Sequence, residues 1–278
     1  MTERLAAVGH FWRDGIRFAF EAGGAGAPVV LLHGLGGDRS GALELVEGDG
    51  GWQRLALDQR GHGETEPVGP ESGYTFDALA ADVVGLLDAQ GTERAVHVGV
   101  SMGAAVALRF ALQYPGRVSG LALVRPAWIH EPMTENLTPN VEVARLLRSM
   151  PVAEALATFQ ASAEYARLRA VSPHAAESLS SQFLRPKAVE RAVRLDRMPR
   201  STPYGDPAEL QAIAAPTLVV GCDRDPLHPI DFAWTWSRLI PGATLDFVIP
   251  SADDVARHRR EVRRVVGTFL RQLGSVRS

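Results

Sequence analysis

Cysteine and lysine are almost absent from this sequence of 278 residues. Cys222 is the one cysteine, which excludes a disulfide framework and a metal site built from cysteines. Lys187 is the one lysine, so arginine supplies nearly all of the 29 basic side chains. We interpret the shortage of lysine as a bias of genome composition that carries no function.

Excess charge and long apolar runs are also absent. The net charge is −3, whereas nucleic acids and anionic membranes bind clustered positive charge, so we expect neither as a partner. The apolar runs are too short to span a bilayer, and Glu3, Arg4 and Arg13 interrupt the N-terminus before a signal-peptide core forms. We therefore expect a cytoplasmic protein, a monomer or a homodimer, that acts on a small molecule.

Strands and helices are predicted to alternate over most of the chain. Short apolar runs bounded by turn residues predict two strands within residues 8–21 and further strands at 28–34, 52–58, 95–101, 118–124, 217–221 and 244–249. Helical spacing of apolar residues predicts helices at 75–89, from 102, at 229–239 and from 254 to 272. This alternation is typical of a mostly parallel sheet with helices on both faces.

The segment from 126 to 206 carries no strand signal. Pro139, Ser172 and Pro186 separate what we predict to be four amphipathic helices. A segment of this length is too long for an ordinary loop. The sequence therefore predicts a helical lid at 126–206, inserted into a core made of residues 1–125 and 207–278.

The run Gly99-Val100-Ser101-Met102-Gly103 follows a predicted strand and opens a predicted helix. In that setting a G-x-S-x-G motif places its serine hydroxyl on a sharp turn beyond the strand end. The N-terminus of the helix favours negative charge that develops beside the hydroxyl. Ser101 is therefore the predicted nucleophile.

A second turn, His33-Gly34-Leu35-Gly36, also follows a strand directly. Its backbone N–H groups, Leu35 among them, are predicted to meet the N–H of Met102 around an oxyanion. His33 is expected to organise this loop beside the substrate rather than to act as a base. Trp128 lies where the chain leaves the sixth strand, so we place Trp128 and His33 among the substrate-binding residues.

With these motifs the chain resembles the α/β-hydrolase fold superfamily. The resemblance is carried by the HGLG turn, the run DQRGHG at 58–63, the GVSMG turn and the run DPLHP at 225–229. It implies an eight-stranded, mostly parallel sheet, a lid inserted after the sixth strand, an active site between core and lid, and no cofactor. Members similar to this pattern include esterases, carbon–carbon bond hydrolases and cofactor-free haloperoxidase-like enzymes.

The resemblance also implies an acid just after the seventh strand and a histidine after the eighth. The family pattern matches Asp225 better than Asp223, and the acid would orient the histidine. No other metal-ligand cluster accompanies these two aspartates, so we predict no metal site. Where the family has Gly-His, this chain has Asp253-Asp254.

Without that Gly-His, the identity of the catalytic base is undecided. Only His228 and His258 follow Asp225 in the sequence. His228 lies three residues beyond the acid on the same loop, so we expect it to approach from the wrong side. His258 lies four residues past the expected position, and an irregular first turn of the last helix would bring it to Ser101. The sequence therefore predicts His258 as the base.

Three functions follow from this constellation. The first is a serine hydrolase with Ser101, Asp225 and His258, acting on small apolar esters or related carbonyl compounds in a mostly apolar cavity. If His258 does not reach, Asp254 is a poor substitute, since an ordinary aspartate has a pKa of about 4. The alternatives are then a cofactor-free lyase, isomerase or cyclase on the same fold, or a ligand-binding pseudoenzyme without the histidine.

Overall fold

The computed structural model describes residues 6–48 and 50–275, and its strands form one sheet. The strands are β1 (Ala7–Arg13), β2 (Ile16–Gly23), β3 (Ala27–Leu32), β4 (Trp52–Leu57), β5 (Ala95–Val100), β6 (Val118–Val124), β7 (Thr217–Gly221) and β8 (Thr244–Phe247). The helices are α1 (Arg39–Leu43), α2 (Phe76–Ala89), α3 (Met102–Gln113), α4 (Thr138–Ser149), α5 (Val152–Gln160), α6 (Ala163–Val171), α7 (Pro173–Ser181), α8 (Ala192–Arg197), α9 (Ile230–Leu239) and α10 (Val255–Ser275).

The eight strands lie in the order β1-β2-β4-β3-β5-β6-β7-β8. The pairs β1–β2 and β2–β4 are antiparallel, and every other neighbouring pair is parallel. The predicted fold class, a mostly parallel eight-stranded sheet, is confirmed. Since β3, β5, β6 and β7 run in the same direction, the loops after them meet at one edge of the sheet.

Helices cover the sheet on both faces. Successive residues of a strand point to opposite faces, and Leu31 and Leu32 of β3 accordingly belong to two separate buried clusters. Leu32 packs with the residues of α2, α3 and α9, whereas Leu31 packs with Leu270 and other residues of α10. Thr75 begins α2 by accepting a hydrogen bond from the backbone N–H of Ala78, as the sequence predicted.

Residues 126–206 hold five α-helices, α4 to α8, rather than the four that the sequence predicted. Their buried apolar side chains form a cluster of their own, which includes Leu146, Phe159, Phe183 and Leu195. Leu35 and Leu227, from the loops after β3 and β7, pack against this cluster. The helical insertion therefore lies over the loops that carry the predicted active-site residues. The exact division into core and lid stays a prediction.

None of the helices in the described part of the chain is long and apolar enough to cross a bilayer. The longest, α10, has 21 residues and is rich in arginine.

Candidate active site

Ser101 stands at the turn between β5 and α3 in a strained backbone conformation. Its φ is +56° and its ψ is −117°, a region that residues other than glycine rarely adopt. The backbone N–H of Ser101 donates to the carbonyl oxygen of Val124 at 2.9 Å, which holds the turn against β6. The predicted turn thus forms, and Ser101 lines a cavity at this edge of the sheet.

The two glycines of the motif allow this turn to be tight. A Cβ atom at Gly99 would lie 2.2 Å from the carbonyl oxygen of Gly103, and one at Gly103 would lie 2.1 Å from that of Leu32. A side chain at Gly99 would therefore push β5 away from the first turn of α3, and one at Gly103 would push α3 away from β3.

His228 is the imidazole that contacts Ser101. The Ser101 hydroxyl lies 2.9 Å from Nε2 of His228, and Nδ1 of the same ring lies 2.9 Å from Oδ2 of Asp225. Because a carboxylate can only accept, the Nδ1–H donates to Asp225 and Nε2 is left to accept the hydroxyl proton. The three side chains have the geometry of a Ser-His-Asp triad.

A tight turn brings the acid and the imidazole together from one loop. The backbone N–H of Leu227 donates to Oδ1 of Asp225 at 3.1 Å, and that of His228 donates to the carbonyl oxygen of Asp225 at 3.2 Å. Arg224, just before the acid, has a φ of +50°. The chain therefore folds back on itself after β7, which returns His228 to Ser101.

The prediction that His258 approaches Ser101 is corrected by this arrangement. His258 lies in the first turns of α10, 5% exposed, and its Nδ1–H donates to the carbonyl oxygen of Ile249 at 2.6 Å. It lines a separate cavity together with His174 and Arg259. The expectation that His228 approaches from the wrong side is wrong, because the loop turns back within three residues of Asp225.

The two aspartates in the place of the usual Gly-His have structural partners. Asp254 accepts a hydrogen bond from the backbone N–H of Arg257 at 2.9 Å and so caps α10. Asp253 forms an ion pair with Arg224 on the loop after β7. The pair of Asp253 with Arg224 joins the loop after β8 to the loop that carries Asp225 and His228.

Arg125 is a further charged group beside the triad, and no sequence signal pointed to it. It follows β6 directly, with a φ of +48°, and its Nη1 donates to the same Oδ2 of Asp225 at 3.1 Å. Burial by itself raises the pKa of the Asp225 carboxyl, but His228 and Arg125 outweigh this and hold that pKa well below its usual range.

The surroundings of His228 favour the neutral form of its imidazole. Burial lowers its pKa below the ordinary value, the Asp225 carboxylate raises it in part, and the positive charge of Arg125 lowers it further. A neutral ring with a free Nε2 lone pair can accept the hydroxyl proton, so the protonation state suits a general base.

The loop after β3 passes directly over Ser101. A Cβ atom at Gly34 would lie 3.3 Å from Cβ of Ser101. The N–H of Met102, the first residue of α3, cannot bond within its own helix and lies next to Ser101. The pairing of the Leu35 and Met102 N–H groups around an oxyanion remains a prediction.

Two buried histidines fix that loop. The Nδ1–H of His33 donates to the carbonyl oxygen of Gly34, and its Nε2 accepts from the backbone N–H of Gln59 at 3.1 Å. His62 accepts from the N–H of Gly36 at 3.0 Å. Both nitrogens of His33 are thus occupied, and His33 is not among the residues that line the main cavity, which corrects its placement as a substrate-binding residue.

The main cavity at Ser101 has a volume of about 210 Å³. Trp128 lines it and is held by a hydrogen bond from its indole N–H to the carbonyl oxygen of Met198 at 3.0 Å. Apolar residues contribute to the wall, but so do polar side chains, namely those of Arg125, Asn140, Ser178, Ser181, Gln182 and Arg185. The cavity is therefore more polar than the sequence predicted.

No group of three or more histidine, cysteine, aspartate or glutamate side chains in the described ranges could hold a metal ion. The arrangement at Ser101 needs no such ion to act as a nucleophile with a base. Because His228 contacts Ser101, the absence of Gly-His after β8 is no longer a reason to favour the pseudoenzyme or the non-hydrolytic enzyme.

Sequence reasoning missed three features, and their signals differ. His228 could have been found from its Asp-x-x-His spacing to Asp225, since a turn brings side chains i and i+3 together, and Pro226 and Pro229 are residues typical of turns. The position of Arg125 and the polar wall of the cavity depend on contacts between distant segments and left no local pattern.

Comparison with known proteins agrees with this architecture. The family model for the alpha/beta hydrolase fold matches residues 27–256. A protein of Variovorax paradoxus named "Putative carbamate hydrolase RutD" is 31% identical over 250 residues, which are 81% of this chain and 82% of that protein. Epoxide hydrolase A of Mycobacterium tuberculosis is 39% identical over 125 residues, which are 44% of this chain and 37% of that protein.

A solved structure has the same fold over nearly the whole length. It is a thermophilic esterase from Thermogutta terrifontis, 26% identical, with a TM-score of 0.71 and coverage of 98% of this chain and 99% of that one. The family match, the relatives and the sheet order agree: this chain belongs to the α/β hydrolase fold family and is a hydrolase of that fold.

Proposed function

We propose that the protein is a serine hydrolase that cleaves small esters or related carbonyl compounds. The observation that carries the proposal is the chain of hydrogen bonds from the Ser101 hydroxyl through His228 to Asp225, each of 2.9 Å. Carbamates fall within this class of carbonyl compounds, and one relative is named for them. The polar wall of the cavity favours substrates with a polar group over purely apolar esters.

The first half of the reaction follows from the direction of these hydrogen bonds. The hydroxyl proton of Ser101 passes to Nε2 of His228 while Oγ forms a bond to the carbonyl carbon of the substrate. The carbonyl oxygen becomes an oxyanion, which the N–H groups of Leu35 and Met102 stabilise. His228 then gives its proton to the leaving group, the bond from carbon to the leaving group breaks, and an acyl-serine remains.

The second half returns the enzyme to its starting state. A water molecule gives a proton to His228 and attacks the acyl carbon, so that a second oxyanion forms. The bond from carbon to Oγ breaks, and Ser101 recovers the proton from His228. The ionised Asp225 stabilises the imidazolium in both halves and keeps the ring in the required tautomer.

A fluorophosphonate probe tests the nucleophile. We expect one probe molecule per chain, mapped to Ser101 by mass spectrometry, and no labelling of Ser101→Ala. Hydrolysis of a p-nitrophenyl ester should fall about a thousandfold or more in the same variant. Folded wild-type protein that is not labelled, or is labelled elsewhere, would contradict the proposal.

A further inference from the structure

A second cavity adjoins the main one at the loop after β3. It has a volume of about 150 Å³, and Gly36, Gly37 and Arg185 line both cavities. Its remaining wall comes from the loops after β3 and β4 and from the helical insertion, with the residues Asp38, His62, Gly63, Pro186, Arg191 and Arg194. We call it the arginine cavity, because three guanidinium groups line it.

Two of the three guanidinium groups are buried and incompletely paired. Arg191 is 5% exposed and Arg194 is 2% exposed. Arg191 donates to the carbonyl oxygen of Gly63 at 2.9 Å, and Arg194 donates to that of Gly61 at 3.0 Å. The Nε–H of each is a buried donor without an acceptor among the described residues. Buried donors without an acceptor are rare in folded proteins, and a bound water molecule or ion is a common partner for them.

Positive charge exceeds negative charge around this cavity. Asp38 is the one carboxylate in its wall and forms an ion pair with Arg185 at 3.3 Å. Arg191 lies 3.5 Å from Glu66, but Glu66 makes its shorter contact, 2.6 Å, with Lys187.

Arg194 makes no ion pair with any described residue. It donates instead to neutral oxygens, on Gly61 and on the side chain of Gln182. Burial lowers the pKa of Arg194 to about 10, and the neighbouring Arg191 contributes to this shift. His62 adds no negative charge. A buried cation without a counter-ion is strongly unfavourable, so the site is suited to an anion that enters from outside.

We propose that the arginine cavity binds a carboxylate on the substrate whose carbonyl group Ser101 attacks. Guanidinium groups recognise carboxylates through paired N–H donors, and two of the three here are already held in place by backbone carbonyls. Gln182 lines the cavity at Ser101 and also contacts Arg194 of the arginine cavity. Its side chain lies against Gly36, so that a Cβ atom there would be 2.0 Å from its Oε1, and the same Oε1 accepts from Arg194.

The inference rests on the proposed function, because it assigns a substrate class to the site at Ser101. The substrate is then a half-ester of a dicarboxylic acid or a related compound with one carboxylate. The charge would anchor the molecule at Arg191 and Arg194 while its carbonyl lies at Ser101.

Matched substrates test the proposal. We would compare p-nitrophenyl butyrate with the mono-p-nitrophenyl esters of malonate, succinate and glutarate, which differ in carrying a carboxylate and in its distance from the carbonyl. Wild-type kcat/KM should be about tenfold or more higher for at least one half-ester than for butyrate. Arg191→Gln and Arg194→Gln should remove this preference and leave the hydrolysis of butyrate within about threefold.

Two further variants keep the test decisive. Arg185→Gln changes a half-exposed side chain, so it serves if the buried variants do not fold, and it should reduce the preference in the same direction. Arg200→Gln is the matched control, because Arg200 also lies in the helical insertion but lines neither cavity and pairs with Asp196. Equal preference in wild type and in all of the cavity variants would overturn the proposal.

Binding to Ser101→Ala separates this proposal from the proposed hydrolysis. Calorimetry should detect monomethyl succinate but not dimethyl succinate, and Arg194→Gln in the same background should abolish the signal. If wild type hydrolyses no ester but this binding pattern is observed, carboxylate binding by the arginine cavity is supported and the hydrolase proposal fails. If inorganic phosphate binds and the half-ester does not, the cavity holds a free anion and the substrate carboxylate is ruled out.

Discussion

The proposed proton transfer at Ser101 depends on side chains from the loops after β5 and β7, which lie at one edge of the sheet on either side of β6. Ser101 could be predicted because its motif is local: two glycines, a strand before and a helix after. Asp225 was predicted from the resemblance to the family, whereas the position of His228 depends on how its loop turns. A histidine three residues from the acid has no fixed direction until the turn is known.

The pH dependence of hydrolysis follows from the charges around His228. Activity requires the neutral ring, so kcat/KM should fall as the pH drops through the pKa of His228. Burial lowers this pKa, and Arg125 lowers it further. The acid limb of the pH profile should therefore lie below the ordinary imidazole value of about 6.5.

Replacing Arg125 tests the sign of this effect. Arg125→Gln removes a positive charge that disfavours the imidazolium, so the pKa of His228 rises and the acid limb moves to higher pH. The control variant Arg109→Gln, far along α3 and paired with Asp77, should leave the limb unchanged. A limb that stays in place in Arg125→Gln, or moves to lower pH, would show that another group controls the profile.

At the scale of elements, the alternation of strands and helices was predictable but some contacts between them were not. The strands predicted near 28–34 and 95–101 form as β3 and β5, because their apolar runs are buried on both faces. Between 126 and 206 the sequence predicted four helices and the structure has five. Short helices separated by only a few residues are hard to tell apart from the spacing of apolar residues alone. The contacts of Arg191 and Arg194 with the loop after β4 join segments more than a hundred residues apart and left no trace in the local sequence.

Asp82 of α2 connects three elements through one buried carboxylate. It accepts two hydrogen bonds of 2.7 Å from Arg60 of the loop after β4 and one of 2.9 Å from Arg13 of β1. Asp82→Ala leaves Arg60 buried without its partner, so the free energy of unfolding should fall by about 3–5 kcal/mol. Urea unfolding measures this loss.

Asp88 on the same helix provides the control. It pairs with Arg117, but its side chain is 61% exposed. Asp88→Ala should therefore change the unfolding free energy by no more than about 1 kcal/mol. Similar losses in the two variants would mean that burial of the ion pair does not determine its contribution.

At the scale of the whole molecule, buried histidines connect folding to pH. His97 is fully buried in β5 and stacks on Phe110 with ring centroids 4.4 Å apart. Burial lowers its pKa to about 3, whereas the same ring in the unfolded chain has an ordinary pKa of about 6.5. Between these two values the unfolded chain binds a proton that the folded protein does not, so stability falls as the pH drops below 6.5.

His97 alone should reduce the free energy of unfolding by about 2 kcal/mol between pH 7.5 and pH 5. In His97→Leu that part of the pH dependence should disappear, whatever the variant's stability at pH 7.5. His10→Gln, which changes an exposed histidine of β1, should keep the wild-type slope. Urea midpoints at several pH values provide the measurement, and an unchanged slope in His97→Leu would contradict the assignment.

The assignment of the base to His228 instead of His258 is the central claim, and ester hydrolysis by the two alanine variants tests it most directly. His228→Ala should lower kcat/KM for a p-nitrophenyl ester by about a thousandfold or more, because Ser101 loses the acceptor of its proton. His258→Ala should stay within about threefold of wild type, since its ring contacts the carbonyl of Ile249 and not the nucleophile. The reverse pattern, with His258→Ala inactive and His228→Ala active, would contradict the account.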